Sequence, residues 1–176
     1  AQLKIIDKAD LTSFINSMEL LLKGTIEDSI IVDEIIENFE LTLSLRFINT
    51  AFIEKRILGI NMLISKVNFI LKTTYPTIWT RKKSSLIKNY WLTSEKYLNW
   101  LLDNKMFELF FGETLHSELV TKYYPILAFL YSKDHLTEEH FEIMWDCAMN
   151  KHETYRVNIL KVLSTRALKI KPSHAK

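Results

Sequence analysis

A chain of 176 residues, 48% hydrophobic and 25% charged, has the size and balance of one ordinary globular domain. Its 3 glycines and 3 prolines fall far below the roughly twelve and nine of average usage, so the raw material for hairpins, barrels and Rossmann turns is largely missing and an all-α fold is predicted. The net charge of +2 is too small to imply general affinity for nucleic acid, and the single cysteine, Cys147, rules out an intrachain disulfide and points to a reducing, cytoplasmic setting.

The chain opens on Ala1-Gln2-Leu3-Lys4 with no signal-peptide pattern, and its missing initiator Met suggests a fragment of a longer protein. No apolar run approaches the roughly eighteen residues that span a bilayer. From Asp10 to Lys23, the residues Leu11, Phe14, Ile15, Met18, Leu21 and Leu22 follow helical spacing, with Gly24 at the expected C′ position and Thr25 as the next N-cap. The following helix carries Val32, Ile36, Phe39 and Leu43 on one face and Asp33, Glu34, Glu37 and Glu40 on the other. After Asn49-Thr50, the stripe Ile53, Ile57, Ile60, Ile64, Val67 and Leu71 sustains helical steps over about five turns. Gly59 interrupts that stripe, at a cost of about 1 kcal/mol unless a neighbouring helix packs closely there.

Residues 74–90 break the pattern: Pro76, Arg81-Lys82-Lys83 and Ser84-Ser85 read as a basic loop and as the boundary between two helical parts, 1–73 and 91–176. Helices resume at Thr93, an N-cap with Glu95 in the first turn, and Tyr97, Leu98, Leu101 and Leu102 form the apolar side. A short turn over 106–111 ends at Gly112. Val120, Tyr123, Leu127 and Leu130 mark the next helix. Thr137 caps another, in which Phe141, Met144, Trp145 and Ala148 share a face, and the last begins near His152 and ends before Pro172. Seven to eight helices paired by short loops, about forty residues per pair, predict a right-handed α-solenoid of stacked antiparallel pairs, armadillo- or HEAT-like in scale. An ordinary helical bundle is the alternative, since no internal sequence repeat is evident.

Little in the sequence could carry chemistry. His135, His140, Cys147, His152 and Glu153 are the right residue types for zinc, but one cysteine cannot supply the usual spaced pairs, and His152-Glu153-Thr154-Tyr155-Arg156 lacks the second histidine of a zincin helix. Cys147 as a nucleophile needs an activating histidine and an electropositive pocket, and a small packed side chain is the simpler reading. No catalytic residue, metal site or cofactor site is assigned. The residues Tyr75, Trp79, Arg81, Lys82, Lys83 and Tyr90 interleave cations with aromatic rings, a composition that suits a partner-binding patch. Single-stranded nucleic acid is the less favoured ligand, and a solvated insertion needs no ligand at all.

Two blocks are more specific. Trp91-Leu92-Thr93-Ser94-Glu95 with Trp100-Leu101-Leu102-Asp103-Asn104, and Leu136-Thr137-Glu138-Glu139 running through Trp145 into Lys151-His152-Glu153, resemble a segment of the very large ubiquitin-specific proteases of the fat-facets type. His116 lies between them at the place of a recurrent histidine. Leu45-Arg46-Phe47 and Lys55-Arg56-Ile57-Leu58-Gly59-Ile60-Asn61 resemble the helix that precedes an insertion in that family. The resemblance covers about residues 40–165 and implies a non-catalytic, armadillo-like scaffold whose thiol-protease domain lies elsewhere in the parent. It also implies protein partners, ubiquitin or a ubiquitinated substrate among them. A helical binding module unrelated to ubiquitin is the alternative. Read from the residues alone, the same blocks are packing signatures: Trp91, Trp100 and Trp145 seal helices, Thr93 and Thr137 cap them, and His152 caps a joint.

Overall fold

The computed structural model describes residues 8–74, 90–113 and 115–164. Every regular element among them is an α-helix: α1 (Lys8–Thr25), α2 (Ser29–Ile48), α3 (Ile53–Thr74), α4 (Ser94–Asp103), α5 (Met106–Phe111), α6 (Ser117–Ser132), α7 (Glu138–Asn150) and α8 (Glu153–Ser164). The all-α expectation holds, and eight helices among the described residues match the expected number. The polypeptide divides into two compact units, residues 1–63 with 69–94 and residues 64–68 with 95–176.

In the first unit, α1 and α2 pack together across the short connection 26–28, which forces them antiparallel. The joint differs from the sequence expectation. Gly24 lies inside α1 with no positive φ. Thr25 closes that helix, its hydroxyl donating to the carbonyls of Leu21 and Leu22 at 3.2 and 3.1 Å. The N-cap of α2 is instead Asp28, whose extended backbone lets its carboxylate accept from the Ile30 amide at 2.8 Å. A threonine hydroxyl can satisfy carbonyls at a helix end as readily as amides at a helix start, so Thr25 alone did not fix which role it takes.

The next helix crossing is set by Gly59. A Cβ placed there would sit 2.6 Å from the Ser44 carbonyl oxygen and 3.0 Å from both Phe47 Cβ and Ile48 Cγ1. Ser44 is wholly buried beside it and turns its hydroxyl back to the Leu41 carbonyl at 2.7 Å. Close approach of α2 to α3 therefore explains the helix-interior glycine. It also moves the buried arc of both helices. On α2 the buried set is Val32, Ile36, Leu41, Ser44 and Ile48, while Phe39 and Leu43, expected in the core, are only half-buried. On α3 the buried positions are Arg56, Gly59, Ile60, Leu63, Lys66, Val67 and Ile70; Ile57 and Ile64 flank them and Leu71 is exposed.

The second unit is built around α6, whose Leu119, Val120, Tyr123, Ile126, Leu127, Phe129 and Leu130 are all buried. Both α5 and α8 pack on α6 and on α7. Pro125 lies inside α6 and removes one backbone donor, a cost of about 3 kcal/mol. Seven buried side chains at roughly 1.5–3 kcal/mol each outweigh it. Phe110 stacks on Tyr123 at 4.0 Å between centroids and 7° between planes. Tyr97 is wholly buried, and loss of solvent pushes its phenol above the usual range. Gly112 ends α5 as expected, because a Cβ there would stand 2.6 Å from the Glu108 carbonyl oxygen.

Candidate interaction surface

Of the histidines that raised the question of a metal, His140 and His152 are parts of helix starts and His135 lies exposed between α6 and α7; His116, outside that set, is used in the same way as the first two. His116 is the N-cap of α6, its Nδ1 accepting from the Glu118 amide at 3.3 Å. His140 stands at the third position of α7 and reaches back, Nδ1 accepting from the Thr137 amide at 3.0 Å, while its ring meets Phe107 edge-on at 4.3 Å. His152 precedes α8 and accepts from the Thr154 amide at 3.3 Å. A helix start leaves amides unsatisfied, and in each case a ring nitrogen takes one of them. That use occupies Nδ1. Among the described residues no group of three His, Cys, Asp or Glu side chains is placed to hold a metal ion.

Cys147 is half-buried on α7, its Sγ 3.8 Å from the Phe111 carbonyl oxygen. Burial pushes the thiol pKa up, and the opposing pull of Lys151 is smaller. A nucleophilic cysteine needs the opposite shift. The sequence reading of a packed thiol is thus near the mark, although the side chain is not fully enclosed.

Of the residues proposed as a partner-binding patch, Tyr75, Trp79, Arg81, Lys82 and Lys83 lie outside the described residues, as does most of the 74–90 segment. Tyr90 is described: it is 38% exposed and meets Phe69 edge-on with centroids 4.8 Å apart. The ring is braced on one side and open on the other.

Other surface features were not anticipated. Trp145, expected on a packed face, is 51% exposed. Only Met144 and Ala148 of its apolar arc are buried, because α7 is covered on one narrow side. Met149, one turn further on, and Val157 and Leu160 of α8 are exposed as well. Trp91 and Trp100, expected to seal helices, are half-buried, Trp100 lying parallel to Tyr97 at 6.4 Å. In the first unit Phe14, Leu20 and Leu21 of α1 are exposed. The outer side of α2 borders a cleft of about 300 Å³, lined by Asn38, Phe39, Thr42, Leu43 and Arg46. An exposed tryptophan and a cleft beside a helix are both features of surfaces that bind proteins. Neither was legible from spacing alone, since Trp145 and Phe39 each fall on a helical stripe of the core type.

The sequence of the chain is similar to that of known proteins. A family model described as the UBP24/USP9X/USP9Y ARM repeat matches residues 34–175. Human ubiquitin carboxyl-terminal hydrolase 9Y is 24% identical over 144 residues, covering 80% of this chain and 5% of that protein. Human ubiquitin carboxyl-terminal hydrolase 34 is 23% identical over 150 residues, 85% of this chain and 4% of the relative. The puf hydrolase of Drosophila melanogaster is 23% identical over 112 residues, 64% of this chain and 3% of the relative. The chain thus spans about one twentieth or less of the curated relatives it matches. No solved structure matches it significantly.

Proposed function

Since the chain belongs to the ARM-repeat family of UBP24, USP9X and USP9Y, we propose that it is a non-catalytic scaffold segment of a large deubiquitinating enzyme and binds a protein partner, ubiquitin or a ubiquitinated substrate among the candidates. In this reading the parts 1–73 and 91–176 belong to one array with the basic 74–90 segment between them, and the parent works in the cytoplasm. The observation that carries the binding role is Trp145, half exposed on a helix whose other side is buried. Tryptophan dominates binding energy where it is available to a partner, and stacking it outward on a helical framework presents it rigidly. Tyr90, with Tyr75, Trp79, Arg81, Lys82 and Lys83, forms a second contact region in the same proposal.

Titration of ubiquitin and of ubiquitin chains onto the immobilised protein tests the partner. Saturable binding that Trp145→Ala or Tyr90→Ala weakens is expected, and binding indifferent to both would displace the anchors assigned here. A ubiquitin vinyl-sulfone probe tests the absence of catalysis: the raised thiol pKa of Cys147 leads us to expect no adduct, and an adduct at that residue overturns the scaffold reading.

A further inference from the structure

The exposed side of α7 has a composition that its own fold does not require. Glu138, Glu142, Trp145 and Met149 follow one another along it, and at about 100° per residue they stay within about 60° of arc. All four are exposed. The helix holds four carboxylates, Glu138, Glu139, Glu142 and Asp146, and no lysine or arginine, in a chain whose net charge is +2. All four carboxylates are exposed, and none has an ion-pair or hydrogen-bond partner for its side chain among the described residues. Glu138 and Glu139 stand in the first turn, where the helix dipole favours an acid, but Glu142 and Asp146 lie beyond its reach. Glu138 with Glu142, and Glu142 with Asp146, are like charges four residues apart, a spacing that destabilises a helix. Cations at the far end of α7 are engaged elsewhere: Arg156 Nε donates to the Ala148 carbonyl at 3.4 Å, and Lys151 Nζ lies 5.8 Å from the Tyr155 ring centroid. The helix thus carries a repulsion from which folding gains nothing, beside a tryptophan left open to solvent.

Charge complementarity names what fits such a face. Phosphate-bearing ligands, nucleic acid or an anionic lipid surface, are repelled by it, and a partner bearing cations beside apolar side chains relieves the repulsion and covers the tryptophan together. We propose that the exposed side of α7 binds a basic, amphipathic helix of a protein partner. Its apolar side chains close over Trp145 and Met149, and its lysines or arginines reach the Glu138, Glu142 and Asp146 carboxylates. A helix suits the face because the stripe from Glu138 to Met149 is straight and about 16 Å long, and the side-chain rows of two helices pack along such a line with charges flanking the seam. Apolar contact supplies most of the affinity, and the carboxylates select the sign of the partner's charge. The inference rests on the scaffold reading above, in which Trp145 is an anchor, and adds the chemistry of what meets it.

The probe is a fluorescein-labelled model helix, Leu-Lys-Lys-Leu-Leu-Lys-Leu-Leu-Lys-Lys-Leu-Leu-Lys-Leu, set against the same sequence with glutamate for every lysine. Fluorescence anisotropy with the 176-residue chain should show saturable binding of the lysine peptide and little of the glutamate one. Glu142→Lys should weaken the lysine peptide about fivefold, the scale of one exposed charge pair converted to affinity. Reversing Glu138 as well should pass the preference to the glutamate peptide. Trp145→Ala should cost more than about tenfold, a buried-anchor loss converted in the same way. Glu142→Gln separates binding from folding: it should raise the urea midpoint slightly, by removing repulsion, while weakening the lysine peptide. A lowered midpoint would mean that the carboxylate serves the fold, and overturns the proposal. So does a dissociation constant above about 1 mM, equal binding of the two peptides, or binding that neither Glu142→Lys nor Trp145→Ala changes. A dimer that Glu142→Lys disperses would overturn it in favour of a second copy. Peptide binding that appears only on deleting residues 165–176, which include Arg166, Lys169, Lys171 and Lys176, would overturn it in favour of that segment. Ubiquitin binding that depends on Trp145 but ignores Glu142→Lys sinks this inference while leaving the scaffold reading intact, whereas a vinyl-sulfone adduct sinks that reading and not this one.

Discussion

Single residues in this chain show how a side chain's role is settled by what its backbone neighbours leave unsatisfied. His140 is ambiguous as a letter in a sequence, but at the third position of α7 its Nδ1 lies 3.0 Å from the Thr137 amide and takes up a donor that the helix cannot use. Loss of that contact in His140→Ala should cost about 1 kcal/mol, read as a lower midpoint in urea unfolding, and His140→Gln should recover much of it because a glutamine at that position makes the same reach. Cys147 is governed by burial instead. Its raised pKa means that at any pH near neutrality a smaller fraction is thiolate than in a free thiol. Alkylation by iodoacetamide should therefore be slower than for glutathione at pH 7, and its rate should climb to a plateau at higher pH; a rate equal to or above that of glutathione would contradict the assignment. Arg56 is the opposite case, a cation 7% exposed whose Nε has no hydrogen-bond partner among the described residues. Replacing an incompletely satisfied buried charge with an apolar chain of similar length is commonly neutral or stabilising, so Arg56→Met should raise the thermal midpoint, by about 1 kcal/mol in stability.

At the scale of elements, the sequence was most informative where one residue type has a single physical excuse. Gly59 in the middle of a strong apolar stripe needed a close neighbour, and the Ser44 carbonyl 2.6 Å from its missing Cβ is that neighbour. Gly59→Ala would trade about 1 kcal/mol of better helix propensity for a clash with backbone, which cannot swing aside as a side-chain tip could. The clash wins: destabilisation of about 2 kcal/mol is expected by chemical denaturation, and a stabilised variant would mean that α2 and α3 do not meet there. Periodicity was less informative where a helix is apolar on several sides. Ile30, Ile31, Ile35, Phe39 and Leu43 fit a helical stripe as well as Val32, Ile36, Leu41 and Ile48 do, and only the crossing at Ser44 selects the second set for burial. Trp145 misled for the same reason: an apolar arc four residues wide is compatible with a core, but α7 is covered along Met144 and Ala148 alone. Tertiary contacts decide such cases, and they are not encoded in the period of one helix.

For the molecule as a whole, the all-helical class followed from the shortage of glycine and proline, and the family from blocks that turned out to be helix caps and joints: Thr137 with His140, and His152 before α8. Such signatures report architecture because every repeat must start and end its helices, whereas the side chains that meet a partner are free to vary with it. The choice between a protein and a nucleic-acid partner is then a question of charge. A net charge of +2 supplies no broad attraction to phosphates, so nucleic-acid binding would have to come from the local run Arg81-Lys82-Lys83. Three cations engaging a single strand would give a slope of about −2 when the logarithm of affinity is plotted against that of salt concentration. A protein partner held largely by apolar contact and uncharged hydrogen bonds releases few counterions and should give a much shallower slope. Anisotropy with a fluorescein-labelled oligothymidine, measured across about 50–200 mM salt, is expected to show weak binding that fades within that range. Micromolar affinity with the steep slope, lost on replacing Arg81, Lys82 and Lys83 with alanine, would instead make the basic segment a nucleic-acid contact and set the scaffold in a different kind of assembly.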